Sequence, residues 1–117
     1  MTELYGIPNC ATVKKARAWL EEQGIAYTFH DFKKTPPSET WLLDCLKTVS
    51  QETLLNKRGT TWRKLTPEQQ AQAETQIGAI ALMQTNPSVI KRPVLQVNGQ
   101  TVVGFNLEQY AEIFQAA

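Results

Sequence analysis

Cys10 sits in YGIPNCATVKKARAWL, residues 5–20, directly after a Pro-Asn pair and where an apolar strand pattern gives way to helical spacing. The free N–H groups of a helix's first turn carry partial positive charge and favour an anion over its neutral acid. A thiol placed there loses one to several units from its free pKa of ~8.5 and becomes a nucleophile at neutral pH. Lys14 and Lys15 add positive charge one turn along. The residue three past Cys10 is Val13, so there is no C-x-x-C pair. A lone thiol attacks a disulfide or an oxyanion, but a second thiol must resolve the adduct, because exchange runs through a mixed intermediate. Cys45 is the one internal candidate, and it falls on an apolar stripe with Leu42, Leu46 and Val49, where cysteine serves as a small core residue. An external thiol such as glutathione is the expected resolver.

Other reactive groups are sparse. Two cysteines and one histidine are too few for a disulfide scaffold or a four-ligand zinc site, so no metal is expected. His30, in YTFHDF, reads as a partly exposed strand residue rather than a base. Arg58, in NKRGTTWRKL, and Arg92, directly before Pro93, are the candidate anion clamps, since a guanidinium forks onto carboxylates and oxyanions.

The elements that must position these groups follow from periodicity. A first strand is expected over 2–6, then a helix from Cys10 to about Gln23 with Val13, Ala16 and Leu20 at helical spacing, Asn9 as N-cap and Gly24 just past its end. A second strand over 26–32 completes a βαβ unit with parallel strands. Ser38 opens a helix carrying the Cys45 stripe, NKRGTTWRKL reads as a loop, and TPEQQAQAETQIGAIALMQ as helix. In that last stretch Thr66, Pro67 and Gln69 make a capping-box start, and Gly78 is expected to divide it in two. PVLQVNGQTVVGF is a hairpin turning on Asn98-Gly99, and a final helix runs over 107–115 with Leu107, Tyr110, Ala111 and Phe114 on one face.

The chain of 117 residues suits one domain, with 42% hydrophobic and 20% charged residues enough for a core. Twelve basic against eleven acidic residues leave a formal charge of +1, no footprint for nucleic acid. The sequence begins in a strand pattern without a leader-like region, and no stretch approaches ~18 apolar residues. A cytoplasmic, monomeric protein without membrane contact is expected. The order β-α-β, helical block, β-β-α builds an α/β four-stranded mixed sheet: a thioredoxin-like fold over residues 1–117 with a helical insertion at about 38–87.

YGIPNCATVKKARAWLEEQGI, NKRGTTWRKL and KRPVLQVNGQTVVGF together resemble the arsenate-reductase-related (ArsC/Spx) family, and most closely its small YffB-like members. The resemblance covers essentially the whole chain. It implies a thioredoxin-like fold, Cys10 as nucleophile, and a cis proline at Pro93 facing it, with Asn9, Lys14, Arg58 and Arg92 around the bound anion. It further implies a glutathione-dependent thiol reductase that holds no tight cofactor, takes glutathione as co-substrate, and has glutaredoxin as a conceivable protein partner. Two alternatives accompany it: a glutathione- or glutaredoxin-coupled arsenate reductase, and a non-enzymatic Spx-like regulator binding RNA polymerase. The family's reductases hold arsenate with three arginines, and where the third would stand this chain has Gly104, Phe105 and Asn106. Arsenate binding here would lack one charge-assisted hydrogen bond, on the order of 1.5–3 kcal/mol. The family's regulators carry a C-x-x-C switch, which Val13 breaks.

Overall fold

Alternation of apolar residues along Thr2–Gly6 (β1) puts Leu4 into one core and Tyr5 against the other, and the strand ends where Pro8 denies it a donor. In the computed structural model, which describes residues 1–115, the chain then turns through a Cys10 N–H to Ile7 carbonyl bond of 3.1 Å and enters helix α1, Ala11–Glu22. Residues 116 and 117 of the expected domain lie outside the described residues. Val13, Ala16 and Leu20 are the buried face of α1. Its end is a Schellman motif: Gly24 takes φ +70°, its N–H bonds the Glu21 carbonyl, and the Ile25 N–H bonds the Leu20 carbonyl. The strand that follows, Thr28–Asp31 (β2), is shorter than the 26–32 expected and pairs parallel with β1, Tyr5 opposite His30.

Next come the inserted helices. Ser38 caps α2, Glu39–Leu46, accepting from the Trp41 N–H at 3.0 Å. Short helices α3, Gln51–Leu54, and α4, Thr60–Lys64, follow, then α5, Pro67–Ala71, whose capping box pairs Thr66 and Gln69 as the sequence predicts. A 3₁₀ turn at Gln72–Glu74 leads into α6, Gln76–Thr85, and another at Pro87–Val89 leads out. Strands β3, Val94–Val97, and β4, Gln100–Val103, form the hairpin, with positive φ at both Asn98 and Gly99 as a type I′ turn requires. Helix α7, Leu107–Ile113, closes the fold.

The sheet is mixed, ordered β2-β1-β3-β4, with β1–β3 and β3–β4 antiparallel. Helices α1 and α7 cover one face over Leu4, Leu20, Leu95 and Tyr110, and the insertion covers the other over Phe32, Leu42, Met83 and Val94. No helix among the described residues is long and apolar enough to cross a membrane. This is the thioredoxin-like arrangement that the element order predicts.

Four local expectations are corrected. The N-cap of α1 is Cys10 itself, in extended conformation, and Asn9 lies one residue outside the helix. NKRGTTWRKL is not wholly a loop: Gly59 caps the turn α4. The break in the long helical stretch falls at Thr75, not Gly78, because Thr75 is the N-cap and accepts the Gly78 N–H at 3.0 Å. In α7 the inward residues are Tyr110, Ile113 and Phe114, while Leu107 and Ala111 are exposed and the helix ends at Ile113.

The Gly78 position explains itself sterically. A Cβ there would stand 2.1 Å from the Gln72 carbonyl oxygen, a backbone atom that cannot step aside. Glycine-to-alanine in a helix interior ordinarily gains up to ~1 kcal/mol. Gly78→Ala is expected to do the opposite and cost roughly 1–3 kcal/mol through overpacking. The check is a lowered urea midpoint at unchanged slope.

Candidate active site

The parallel β1–β2 pairing places the start of α1 at the end of β1, and the first turn of the helix packs on the strand through Val13. Its Cγ2 atom would stand 2.8 Å from a Cβ at residue 6, so Gly6 is what lets the helix lie this close. The outcome is a half-buried Cys10 at the N-cap, with its carbonyl accepting the Lys14 N–H at 2.9 Å.

At the N-cap, Sγ occupies the place of a capping oxygen, near the N–H groups of the second and third helical residues. The sulfur closes no cap hydrogen bond. Burial alone pushes its pKa up. The nearby Val13 N–H, Arg92 side chain and Thr12 N–H, together with the Arg92 charge, favour the thiolate strongly enough to outweigh burial and bring the pKa below the ordinary thiol value. The four opposing contributions all favour the thiolate.

Arg92 is held for this role by the end of the insertion. Its Nη1 donates to the Ser88 carbonyl at 2.6 Å and the Ile90 carbonyl at 3.3 Å. Its Nε is buried without a hydrogen-bond partner among the described residues. The Arg92–Pro93 peptide is cis, and the buried Pro93 carbonyl accepts the Gly104 N–H at 2.7 Å.

The remaining predicted site residues are less closely drawn in. Arg58 is exposed and makes no side-chain hydrogen bond or ion pair among the described residues. Its loop is nevertheless stitched to the Arg92 segment, through the Leu55–Ile90 bridge, the Asn56 N–H to Val89 carbonyl bond at 2.7 Å and the Lys91 N–H to Leu54 carbonyl bond at 2.8 Å. Asn9 is exposed and its Oδ1 accepts from Lys33 Nζ at 3.5 Å, while Lys14 is exposed on α1. Asn106 is taken as the N-cap of α7, accepting the Gln109 N–H at 2.9 Å. Lys91, which the sequence reading did not weigh, brings Cε to 3.5 Å from the Cβ position of Gly104. Only the fold reveals that a cationic side chain lies over a stretch that has no cation of its own.

Cys45 has the opposite environment. It is fully buried under α2, accepts from Gln96 Nε2 at 3.6 Å, and its pKa is pushed up to about 12 by desolvation and the Asp44 charge. His30 stacks on Tyr5 with ring centroids 4.3 Å apart and hydrogen-bonds Glu3 at 2.6 Å, a packing role within the sheet. Among the described residues no group of His, Cys, Asp or Glu is arranged to hold a metal.

Arg92→Ala is expected to raise the Cys10 pKa, and Arg92→Lys to restore it partly by keeping charge without the fork. Alkylation grows with thiolate, so the pH–rate curve for iodoacetamide should move to higher pH in Arg92→Ala. Arg58→Ala should leave that curve in place, since Arg58 is not among the groups acting on the thiol.

Residues 5–113 match the family model described as the ArsC family. The solved structure of a protein named YFFB superposes with a TM-score of 0.90 at 44% identity, covering 96% of this chain and 97% of that one. An arsenate reductase (ArsC) related protein from Brucella melitensis is 47% identical over 97% of this chain and 94% of its own, with a TM-score of 0.74. The global transcriptional regulator Spx of Streptococcus mutans is 28% identical, covering 93% of this chain and 80% of the regulator.

Proposed function

This chain belongs to the ArsC family, and on that premise we propose that it is a glutathione-dependent thiol reductase working through Cys10 alone. The observation that carries the reading is the sulfur at the α1 N-cap with Arg92 beside it, an arrangement that favours thiolate over thiol. The substrate is a mixed disulfide between glutathione and a second thiol. The Cys10 thiolate attacks the glutathione sulfur, forming a Cys10–glutathione disulfide and releasing the second thiol as thiolate. A glutathione thiolate then attacks the glutathione sulfur of that adduct, leaving as glutathione disulfide and returning the Cys10 thiolate. The proton lost by the incoming glutathione ends on the released thiol, so one thiol and one disulfide enter the cycle and one thiol and one disulfide leave it.

Arg92 suits the role of holding a carboxylate of glutathione while its charge stabilises the leaving thiolate. Arg58, Lys14 and Asn9 line the approaches in this reading, with Arg58 carried on a loop tied to the Arg92 segment. No tightly bound cofactor is needed, and a reducing cytoplasm supplies the glutathione. A glutaredoxin would act as an alternative reductant, and the monomer carries every group that the cycle uses.

The full burial of Cys45 separates this cycle from one that closes an internal disulfide. Cys10→Ser is expected to abolish turnover of a glutathione mixed disulfide, a loss of at least a thousandfold. Cys45→Ser is expected to keep most of it, and mass spectrometry of Cys45→Ser should still show the glutathione adduct on Cys10. Equal loss in both variants would instead support an internal Cys10–Cys45 cycle. Arsenate in place of the disulfide makes the assay discriminate between substrates: turnover of arsenate alone would support the family's oxyanion chemistry over this reading.

The similarity to Spx supports a second reading, a regulator that binds RNA polymerase. Polymerase binding retained in Cys10→Ser, with no disulfide turnover in the parent, would select it.

A further inference from the structure

A cavity of about 590 Å³ lies along β2, and its lining includes Pro8 of the β1–α1 turn. Its wall includes Phe29, His30, Asp31 and Phe32 in succession. Successive strand residues point to opposite faces, so a cavity touched by four in a row follows the strand's outer edge rather than lying beneath one face. β2 is an edge strand. The Phe32 N–H bonds the Gly6 carbonyl at 2.9 Å, so by the two-residue period the amides of Phe29 and Asp31 turn outward. The Asp31 carbonyl is used by the N–H groups of Lys34 and Thr35. That leaves the Phe29 N–H and carbonyl and the Asp31 N–H facing no strand. The lining also includes Pro36 and Pro37, which have no N–H to offer.

The two sides of the groove differ chemically. On the His30 side the wall is aromatic, with Tyr5 and Trp41 at 4.6 Å between ring centroids. On the Phe29 side lies Arg17, its guanidinium carbon 4.1 Å from the Phe29 ring centre. Arg17 donates to the Tyr27 hydroxyl, which donates to Glu21, but neither Arg17 nor Lys34 forms an ion pair among the described residues. Against these two cations the groove has one carboxylate, Asp31, already accepting the Lys33 N–H.

We propose that the outer edge of β2 docks an extended peptide segment of a partner protein, added as a fifth strand, with acidic residues alternating with apolar ones. Its acidic side chains face Arg17, its apolar ones meet Tyr5 and Trp41, and its backbone pairs with Phe29 and Asp31. The proposal is independent of the thiol chemistry, since Cys10 is not part of the groove.

Amide-resolved NMR of the full chain, titrated with a capped hexapeptide alternating glutamate and leucine, tests this. Saturable shifts over Phe29–Phe32 and slowed hydrogen exchange at the Phe29 and Asp31 amides are expected. Two peptides, each N-methylated at one set of alternate residues, then separate strand pairing from side-chain contact, because only one set faces β2. One should fail and the other bind. Arg17→Glu should weaken the acidic peptide at least tenfold and favour one alternating lysine and leucine, with Arg17→Gln intermediate and circular dichroism confirming the fold of each. Binding indifferent to both methylation patterns would overturn the proposal in favour of a side-chain pocket for small ligands. The absence of saturable shifts at millimolar peptide, or a charge reversal without effect, would overturn it as well.

Discussion

The close approach of α1 to the end of β1 is the contact on which the site depends. Without a side chain at Gly6, Val13 settles onto the strand, and the first turn of the helix stands directly over the sheet's end. A bulkier residue at position 6 would lever the helix outward and carry the Thr12 and Val13 N–H groups away with it. The same turn fixes Cys10 through its N–H bond to Ile7. Packing and electrostatics are therefore one constraint: the geometry that fills the core between Leu4 and Leu20 also aims the helix N-terminus at the sulfur.

Two cysteines in one small domain show how far environment outranks residue type. Both are removed from water to some degree, and for both desolvation is the largest single influence and acts upward. At Cys45 the next influence, the Asp44 carboxylate, acts upward too, and the thiol is inert at any ordinary pH. At Cys10 every remaining influence acts downward. Among the downward influences the Val13 N–H leads, the Arg92 side chain follows and the Thr12 N–H comes next, so the helix terminus and the arginine act on the sulfur together.

What the sequence disclosed and what it withheld divide along contact range. Gly24, the Thr66–Gln69 box and Asn98-Gly99 were legible because each is satisfied by backbone groups a few residues away. The four-stranded mixed sheet followed from element order. The errors arose where a distant neighbour decides. Asn9 is the better capping residue by propensity, yet packing against β1 puts the N-cap one residue later, at Cys10. Gly78 reads as a breaker, yet it is a contact residue for the Gln72 carbonyl. Leu107 belongs to the apolar period but faces out, since Tyr110 and Phe114 turn α7 toward Trp19. Lys91 over Gly104, and the groove along β2, involve residues that no local pattern joins.

The insertion between the two halves is thus part of the site's machinery as well as a cover for one face of the sheet. Its last turn, Pro87–Val89, presents the Ser88 and Ile90 carbonyls to Arg92 Nη1. A half-buried guanidinium with a free rotamer would swing to solvent, where its charge is better hydrated. Anchored on one edge by carbonyls, it keeps its remaining donors on the protein side, and the buried Nε still has no partner among the described residues. An anion held over Cys10 would supply the charge that this guanidinium lacks. The bridge from Leu55 to Ile90, with the Asn56 N–H to Val89 and Lys91 N–H to Leu54 bonds, ties the backbone of the Arg58 loop to the same segment, so the two arginines stand on joined supports.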